Sequence, residues 1–409
     1  MTATITRVSA RDHRFQLGAG EGTDAIHDTE EWAYATALIE TSDGISGTGF
    51  ALTMGRGNDL VCRAIEAFAD RLVGREIESL MAAFGVTFRA LADDPALRWL
   101  GPHKGVVHLA LAAITNACFD LWARSRELPL WRLLLELSPE ALVRTLDLSY
   151  LEDVLSAEQA IDLLRVAEPT RGERADVLEH GYPGYDTSVG WFDFSTGDIV
   201  DKARAAVGAG FGAVKLKVGS PEAERDLERA FRLREALGPE VRIMLDVNQQ
   251  WSLPQAVRMC QELAAMDPYW VEEPTHPDDV FAHAELARAI APMRVAAGEM
   301  IPHRVLFKSF LQADALHFVQ VDTTRVGGVS EFITVSLLAR VFGKPVVPHV
   351  GDMGQVHQHL VLFNHVALGH EEVFLEYIPH LRDRFVEPAV VDGGRYRVPS
   401  APGSSSELR

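Results

Sequence analysis

The sequence predicts an α/β protein, a (β/α)7β TIM-like barrel joined to an α+β N-terminal capping domain. Three observations predict it. Polar residues close short apolar runs at near-constant intervals: Lys217 in AVKLKVG, Asp246 in RIMLDVN, Glu272 in YWVEEP, Glu299 in RVAAGEM, Asp322 in HFVQVD, His349 in PVVPHV and Glu376 in VFLEY. The gaps are 29, 26, 27, 23, 27 and 27 residues, the length of a strand, a returning helix and two short loops. At 409 residues the chain also exceeds a barrel of about 250 residues, leaving room for a second domain.

Taken in order, residues 1–140 read as the capping domain. Residues 33–52 alternate around an SDG turn and predict an antiparallel hairpin. Helical stretches follow near 58–73, 76–92 and 104–124, the last apolar on most faces and so expected to be buried. The barrel is expected over 141–380, with its first strand in LVRTLDLSY (142–150) and a long insertion from 151 to 190 that includes HGYPGYDTSVGW. From 197 strands alternate with amphipathic helices such as EAERDLERAFRLREAL, and the barrel closes at Glu376. Residues 381–409, with a DGG turn, are expected to pack back on the capping domain.

Composition narrows the function. Hydrophobic residues make up 47% and charged residues 24%, ordinary for a globular protein with an ample core. A net charge of −19 and no basic stripe argue against a nucleic-acid partner and an anionic membrane surface. An anionic small substrate would need local positive charge from lysines or a metal. Cys62, Cys118 and Cys260 are odd in number and far apart, which indicates neither a disulfide framework nor a zinc site. With no leader-like apolar region, a cytoplasmic protein is expected.

In a barrel of this kind, polar residues closing the strands share the carboxyl-end face that carries chemistry. Lys215 and Lys217 lie two apart and share one face of their strand. Two adjacent ammonium groups resist double protonation, so a lowered pKa and a base near neutrality are expected. Asp246, Glu272 and Glu299 end consecutive strands, and three converging carboxylates call for a hard divalent cation, Mg²⁺. His349 follows Asp322 by one strand, a pairing in which the carboxylate can orient and charge the imidazole. A lysine on one side, a metal below and a His–Asp acid on the other suit abstraction of a proton α to a carboxylate.

KLK (215–217), LDVNQQW (ending at Trp251), WVEEPTHPDD (270–279), AAGE (296–299), VQVDTTRVGG (319–328) and VPHVG (347–351) together resemble the mandelate racemase group of the enolase superfamily. Within it, RWLGPHKGV, GYPGYDTSVGW, FKSFLQADALHFVQVD, EYIPHLRDRFVEP and RYRVPSAPG look most like the L-fuconate dehydratase family. The resemblance implies a hydro-lyase acting on a small acid sugar. Asp246, Glu272 and Glu299 would hold Mg²⁺, and Lys217, with Lys215 beside it, would remove the C2 proton to give a metal-stabilised enediolate. His349 with Asp322 would protonate the departing 3-hydroxyl, and the enol would tautomerise to a 2-keto-3-deoxy acid. Lys215, Asn248, Glu376 and Asp24 would bind substrate, and a homodimer or higher homo-oligomer is expected. The alternatives are a racemase or epimerase of a 2-hydroxy acid on the same scaffold, and a non-catalytic barrel.

Three departures from that family fall where specificity is expected. VGDMGQVHQHL (350–360) is short and lacks a Cys-Glu pair, RFQLGAGEGTDA (14–25) keeps Asp24 but lacks Pro-Thr-Ser, and Met300 replaces a polar residue. GAGFG (208–212) precedes a strand, the wrong context for a dinucleotide fingerprint. His276, His303, His357 and His359 read as solvated loop histidines, and Trp32 and Trp191 as either substrate contacts or packing.

Overall fold

The computed structural model describes residues 3–28, 30–101, 103–350 and 354–409. Strands β1 (Ile5–Gln16), β2 (Glu31–Thr41) and β3 (Ser46–Thr53) form an antiparallel sheet in that order. The helix Gly105–Ser125 lies across β3, at a distance set by glycine. A Cβ on Gly49 would stand 2.3 Å from Ala117 N, and one on Gly47 2.4 Å from Ala117 O. This helix is long and apolar enough to cross a membrane, yet most of it is buried within the protein.

The barrel strands are β4 (Tyr182–Asp186), β5 (Ala213–Lys217), β6 (Arg242–Asp246), β7 (Trp270–Glu272), β8 (Val295–Ala297) and β9 (Phe318–Val319), paired in parallel in sequence order. Val346 bridges Val319 in parallel, and β10 (Leu375–Tyr377) pairs with β4. A hairpin of β11 (Val391–Asp392) and β12 (Arg395–Tyr396) adds antiparallel to β4. Register aligns Lys217 with Asp246, Asp246 with Glu272 and Glu272 with Ala296, so the polar residues share one rung. Below them Ala213, Met244, Trp270, Ala296, Phe318 and Val347 belong to one buried apolar cluster, the side-chain layer that fills a barrel rather than leaving a pore.

The strand expected at 142–150 is absent. A short helix covers Pro139–Val143, and Asp147 then folds onto Ser149, accepting from its N–H at 3.0 Å and its hydroxyl at 2.7 Å. Arg304 Nη2 donates to Asp147 at 2.6 Å and its Nε to Ser149 O at 3.1 Å. Local side-chain bonds of this kind replace ladder pairing. The first barrel strand is instead β4, inside the stretch expected to be an insertion. The tail meets the cap: Leu130 N donates to Gly403 O at 2.8 Å, Trp131 Nε1 to Pro399 O at 2.8 Å, and Ser404 N to Asp120 Oδ1 at 2.6 Å.

Candidate active site

The carboxyl ends of the barrel strands open into a cavity of about 310 Å³ whose lining includes Asp24, Lys217, Asn248, Glu299, His349 and Glu376. Every strand-end residue of the 23-to-29 series is buried. Lys217 Nζ contacts Asp246 Oδ2 at 2.6 Å and Asn248 Oδ1 at 3.1 Å. Lys215 Nζ lies 2.7 Å from Glu272 Oε1, 2.7 Å from Glu376 Oε1 and 3.3 Å from Asp246 Oδ2. Asn248 reaches back to Lys217 from a left-handed backbone, φ 46°, a conformation asparagine tolerates.

The expected depression of the lysine pKa does not appear. Burial pushes both ammonium groups down, but the surrounding carboxylates outweigh burial and their mutual repulsion, so Lys215 and Lys217 are raised. Charge is unevenly shared among the acids. Burial pushes Asp246 up, yet Lys217 and Lys215 outweigh it and hold the carboxyl low. Burial and the neighbouring Asp246 drive Glu272 up to about 7.

Asp246, Glu272 and Glu299 are not gathered round one point, because the first two are turned onto lysines. Among the described residues no three Asp, Glu, His or Cys side chains are arranged to ligate one ion. The donor set nevertheless fits a hard divalent cation. All three candidate side chains offer oxygen, and Glu299 Oε2 is buried with no hydrogen bond, although His349 Nε2 is 3.2 Å away. Glu272 stays short of positive charge even with a lysine at 2.7 Å.

Opposite Lys217, His349 Nδ1 lies 2.8 Å from Asp322 Oδ2. Burial pushes His349 down, but Glu299 and Asp322 outweigh it and lift the imidazole to about 9. Asp322 resists protonation: burial raises it, and the bonds from His349 and His357 hold it far below the usual range. Glu376 ties the barrel mouth together, accepting from Thr187 Oγ1 at 2.5 Å and Val350 N at 2.9 Å.

The cap supplies the roof. Asp24 Oδ1 accepts from Ile26 N at 2.7 Å and His27 N at 2.8 Å, and Oδ2 lies 2.9 Å from His27 Nδ1. Its carboxylate therefore builds the loop it sits in. The loop is pinned to the segment after β4, where Phe192 N donates to Thr23 O at 3.1 Å and Asp193 N to Thr23 Oγ1 at 3.1 Å. Trp191 Nε1 donates to His380 Nε2 at 2.8 Å, and His380 Nδ1 is 3.4 Å from Glu21. Trp32 and Trp191 both line the cavity, and the Trp191 ring stands 5.7 Å from Lys217 Nζ. Leu52, Met54, Leu60, Val61, Val106 and Leu109 form its apolar wall.

Several expectations need correction. Met300 is not among the cavity-lining residues. His357 and His359 are buried in the helix Val356–Phe363, and His303 accepts from Leu306 N as the N-cap of the helix Arg304–Gln312; only His276 of the four is exposed. Of the segment 350–360, residues 351–353 lie outside the described residues. Sequence reasoning missed Thr187, Tyr185, His27, Arg325 and Glu273. Stepping 29 residues back from Lys217 reaches 188 and would have found the end of β4. Glu273, buried beside Glu299 and Asp246, was hidden by its double with Glu272.

The Mandelate racemase / muconate lactonizing enzyme N-terminal domain family matches residues 22–134, and the Enolase C-terminal domain-like family matches residues 198–409. The chain belongs to the enolase superfamily. Within its mandelate racemase/muconate lactonizing subgroup, this enolase-superfamily chain is 38% identical to human mitochondrial enolase superfamily member 1 over 99% of its length and 94% of the relative's. It is also 38% identical to L-galactonate dehydratase of Hypocrea jecorina, over 99% and 92%. The crystal structure of the human protein superposes with a TM-score of 0.96 over 100% of this chain and 95% of that one. L-talarate dehydratase from Polaromonas, solved with Mg and L-glucarate, gives 0.77 at 25% identity over 100% and 96%.

Proposed function

We propose that this chain is a Mg²⁺-dependent acid-sugar dehydratase that converts an aldonate to its 2-keto-3-deoxy acid. The carrying observation is that Lys217 and the Asp322-paired His349 line one cavity together, with three carboxylates on neighbouring strand ends. Relatives named as dehydratases of L-galactonate and of L-talarate/galactarate support the reaction class. Asp246, Glu272 and Glu299 would hold Mg²⁺. When bound, it would neutralise charge growing on the substrate carboxylate.

Lys217 takes the C2 proton as its neutral amine, which requires Asp246 to be turned away from it onto the cation, and the ammonium it becomes is then held by Asn248 Oδ1 with the Trp191 ring beside it. The C3–O bond breaks with its electron pair leaving on oxygen, which receives a proton from His349 Nε2. Asp322 keeps the imidazole oriented through Nδ1–H. The resulting enol tautomerises to the keto acid, so atoms and charge balance with water as the leaving group.

The apolar wall of Leu52, Met54, Leu60, Val61, Val106 and Leu109 suits a substrate ending in a methyl group, with Arg56 and Arg325 also in the lining as the groups that would draw a carboxylate. L-fuconate, a 6-deoxy acid, is therefore the proposed substrate. Incubating the protein with Mg²⁺ and a panel of 6-deoxyaldonates, aldonates and diacid sugars, with EDTA controls, tests this. Keto-acid formation is expected to be greatest for L-fuconate and to vanish with EDTA. Deuterium entering C2 of every panel member from D₂O without keto acid would replace the reading with racemisation, which the same Lys217–His349 opposition permits.

A further inference from the structure

Asp322 is held from both sides. His357, 1% exposed on the helix Val356–Phe363, places Nε2 3.0 Å from Asp322 Oδ1. His349 Nδ1 lies 2.8 Å from Oδ2, and Thr324 gives Oδ1 its N–H at 2.7 Å and its hydroxyl at 2.8 Å. Thr323 N–H also points at His357 Nε2, at 3.0 Å. One ring nitrogen cannot accept from an amide and donate to a carboxylate at once.

The network decides the tautomer. With the proton on Nε2, His357 donates to a carboxylate, a charge-assisted bond roughly twice as strong as a neutral one. Its Nδ1 is then a bare acceptor, which suits an atom that is buried without a partner. Each tautomer deprives one buried N–H of an acceptor, Thr323 N–H when Nε2 carries the proton and the ring's own Nδ1–H otherwise, so the carboxylate decides: with the proton on Nδ1 a lone pair would face the Asp322 carboxylate at 3.0 Å. The ring of Phe332 packs edge-on against the imidazole, its centroid 6.3 Å away.

We propose that His357 is a positioning residue for the dehydration step: its Nε2–H grips Asp322 Oδ1, fixes the carboxylate plane and so aims His349 at the leaving hydroxyl. His357 does not line the cavity, so it acts only through Asp322. The inference rests on the dehydratase reading for its kinetic consequence and on the hydrogen-bond network alone for its tautomer.

Two measurements test it. Long-range ¹H–¹⁵N spectra of histidine-labelled protein, without substrate, are expected to show His357 protonated at Nε2, and an Nδ1–H tautomer would overturn the inference whatever the enzyme does. The second compares His357→Leu with His357→Gln. The leucine variant is expected to lower kcat about 10- to 100-fold, the usual cost of losing a supporting partner, with KM unchanged. Deuterium from D₂O should still enter C2 of unreacted substrate at the wild-type rate, because that proton belongs to Lys217, so the exchange-to-elimination ratio rises by the same factor. Glutamine, which keeps an N–H donor, should recover most of the loss. Equal falls in exchange and elimination, or glutamine no better than leucine, would reduce His357 to a packing residue. Wild-type protein inactive on every acid sugar would defeat the dehydratase reading while the tautomer measurement still decides this one.

Discussion

Lys217 answers to several neighbours at once: Asp246 holds its ammonium at 2.6 Å, Asn248 at 3.1 Å and the Trp191 ring flanks it at 5.7 Å. Replacing it with methionine is expected to lower turnover by roughly 10²- to 10⁴-fold and to stop deuterium entering C2, read by mass spectrometry of recovered substrate. Without the ammonium, Asp246 keeps Lys215 at 3.3 Å as its cationic partner, and losing one half of a buried ion pair costs about 3–5 kcal/mol. Mg²⁺ should therefore raise the melting temperature of Lys217→Met more than that of wild type; an equal rise would remove Asp246 from the proposed ligands. The identities of these residues were legible because each closes an apolar run. Their protonation was not, since pairwise repulsion between Lys215 and Lys217 is visible in KLK while the three acids that overrule it arrive from other strands. His357 was unreadable for the same reason: nothing in QVHQHL says that Asp322 lies beside it.

Among elements, the β4 segment shows why one strand escaped. YPGYD carries a proline and a glycine, which ordinarily demote a strand. Here Pro183 sits where β12 pairs antiparallel, and a Cβ on Gly184 would stand 3.0 Å from the Phe211 ring and 3.2 Å from Tyr396. Both residues answer to partners far along the chain. The cap hairpin was legible from its alternation, but not the closeness of the helix on it. Gly49→Ala should expose that closeness, because its methyl would press on backbone at Ala113 and Ala117. A loss of about 1–3 kcal/mol or more is expected in urea unfolding, whereas a neutral result would mean that helix and sheet slide apart freely.

Over the whole molecule, acid should unfold the protein through its histidines. Burial depresses His108 and His359 to about 3, and His303 and His370 to about 4. The folded-state pKa lies below the unfolded value near 6.5, so their contribution is fully present above that pH and is lost as pH falls, down to about 4 for His303 and His370 and about 3 for His108 and His359. Each such group withdraws at most about 1.4 kcal/mol per pH unit in that window. Thermal midpoints measured from pH 7 to pH 5 should fall steeply, and His359→Gln should flatten the slope; an unchanged slope would show that its ring is not held neutral.

The roof over the cavity is anchored at Thr23 to the stretch after β4 and at Glu21 to His380 near the C-terminal end. Its three pieces are far apart in the gene but mechanically one part. An engineer wishing to give this barrel another relative's substrate range would have to exchange residues 17–30, 191–193 and 380 as a set. A graft of the first alone would leave the new loop without the attachments that set its height.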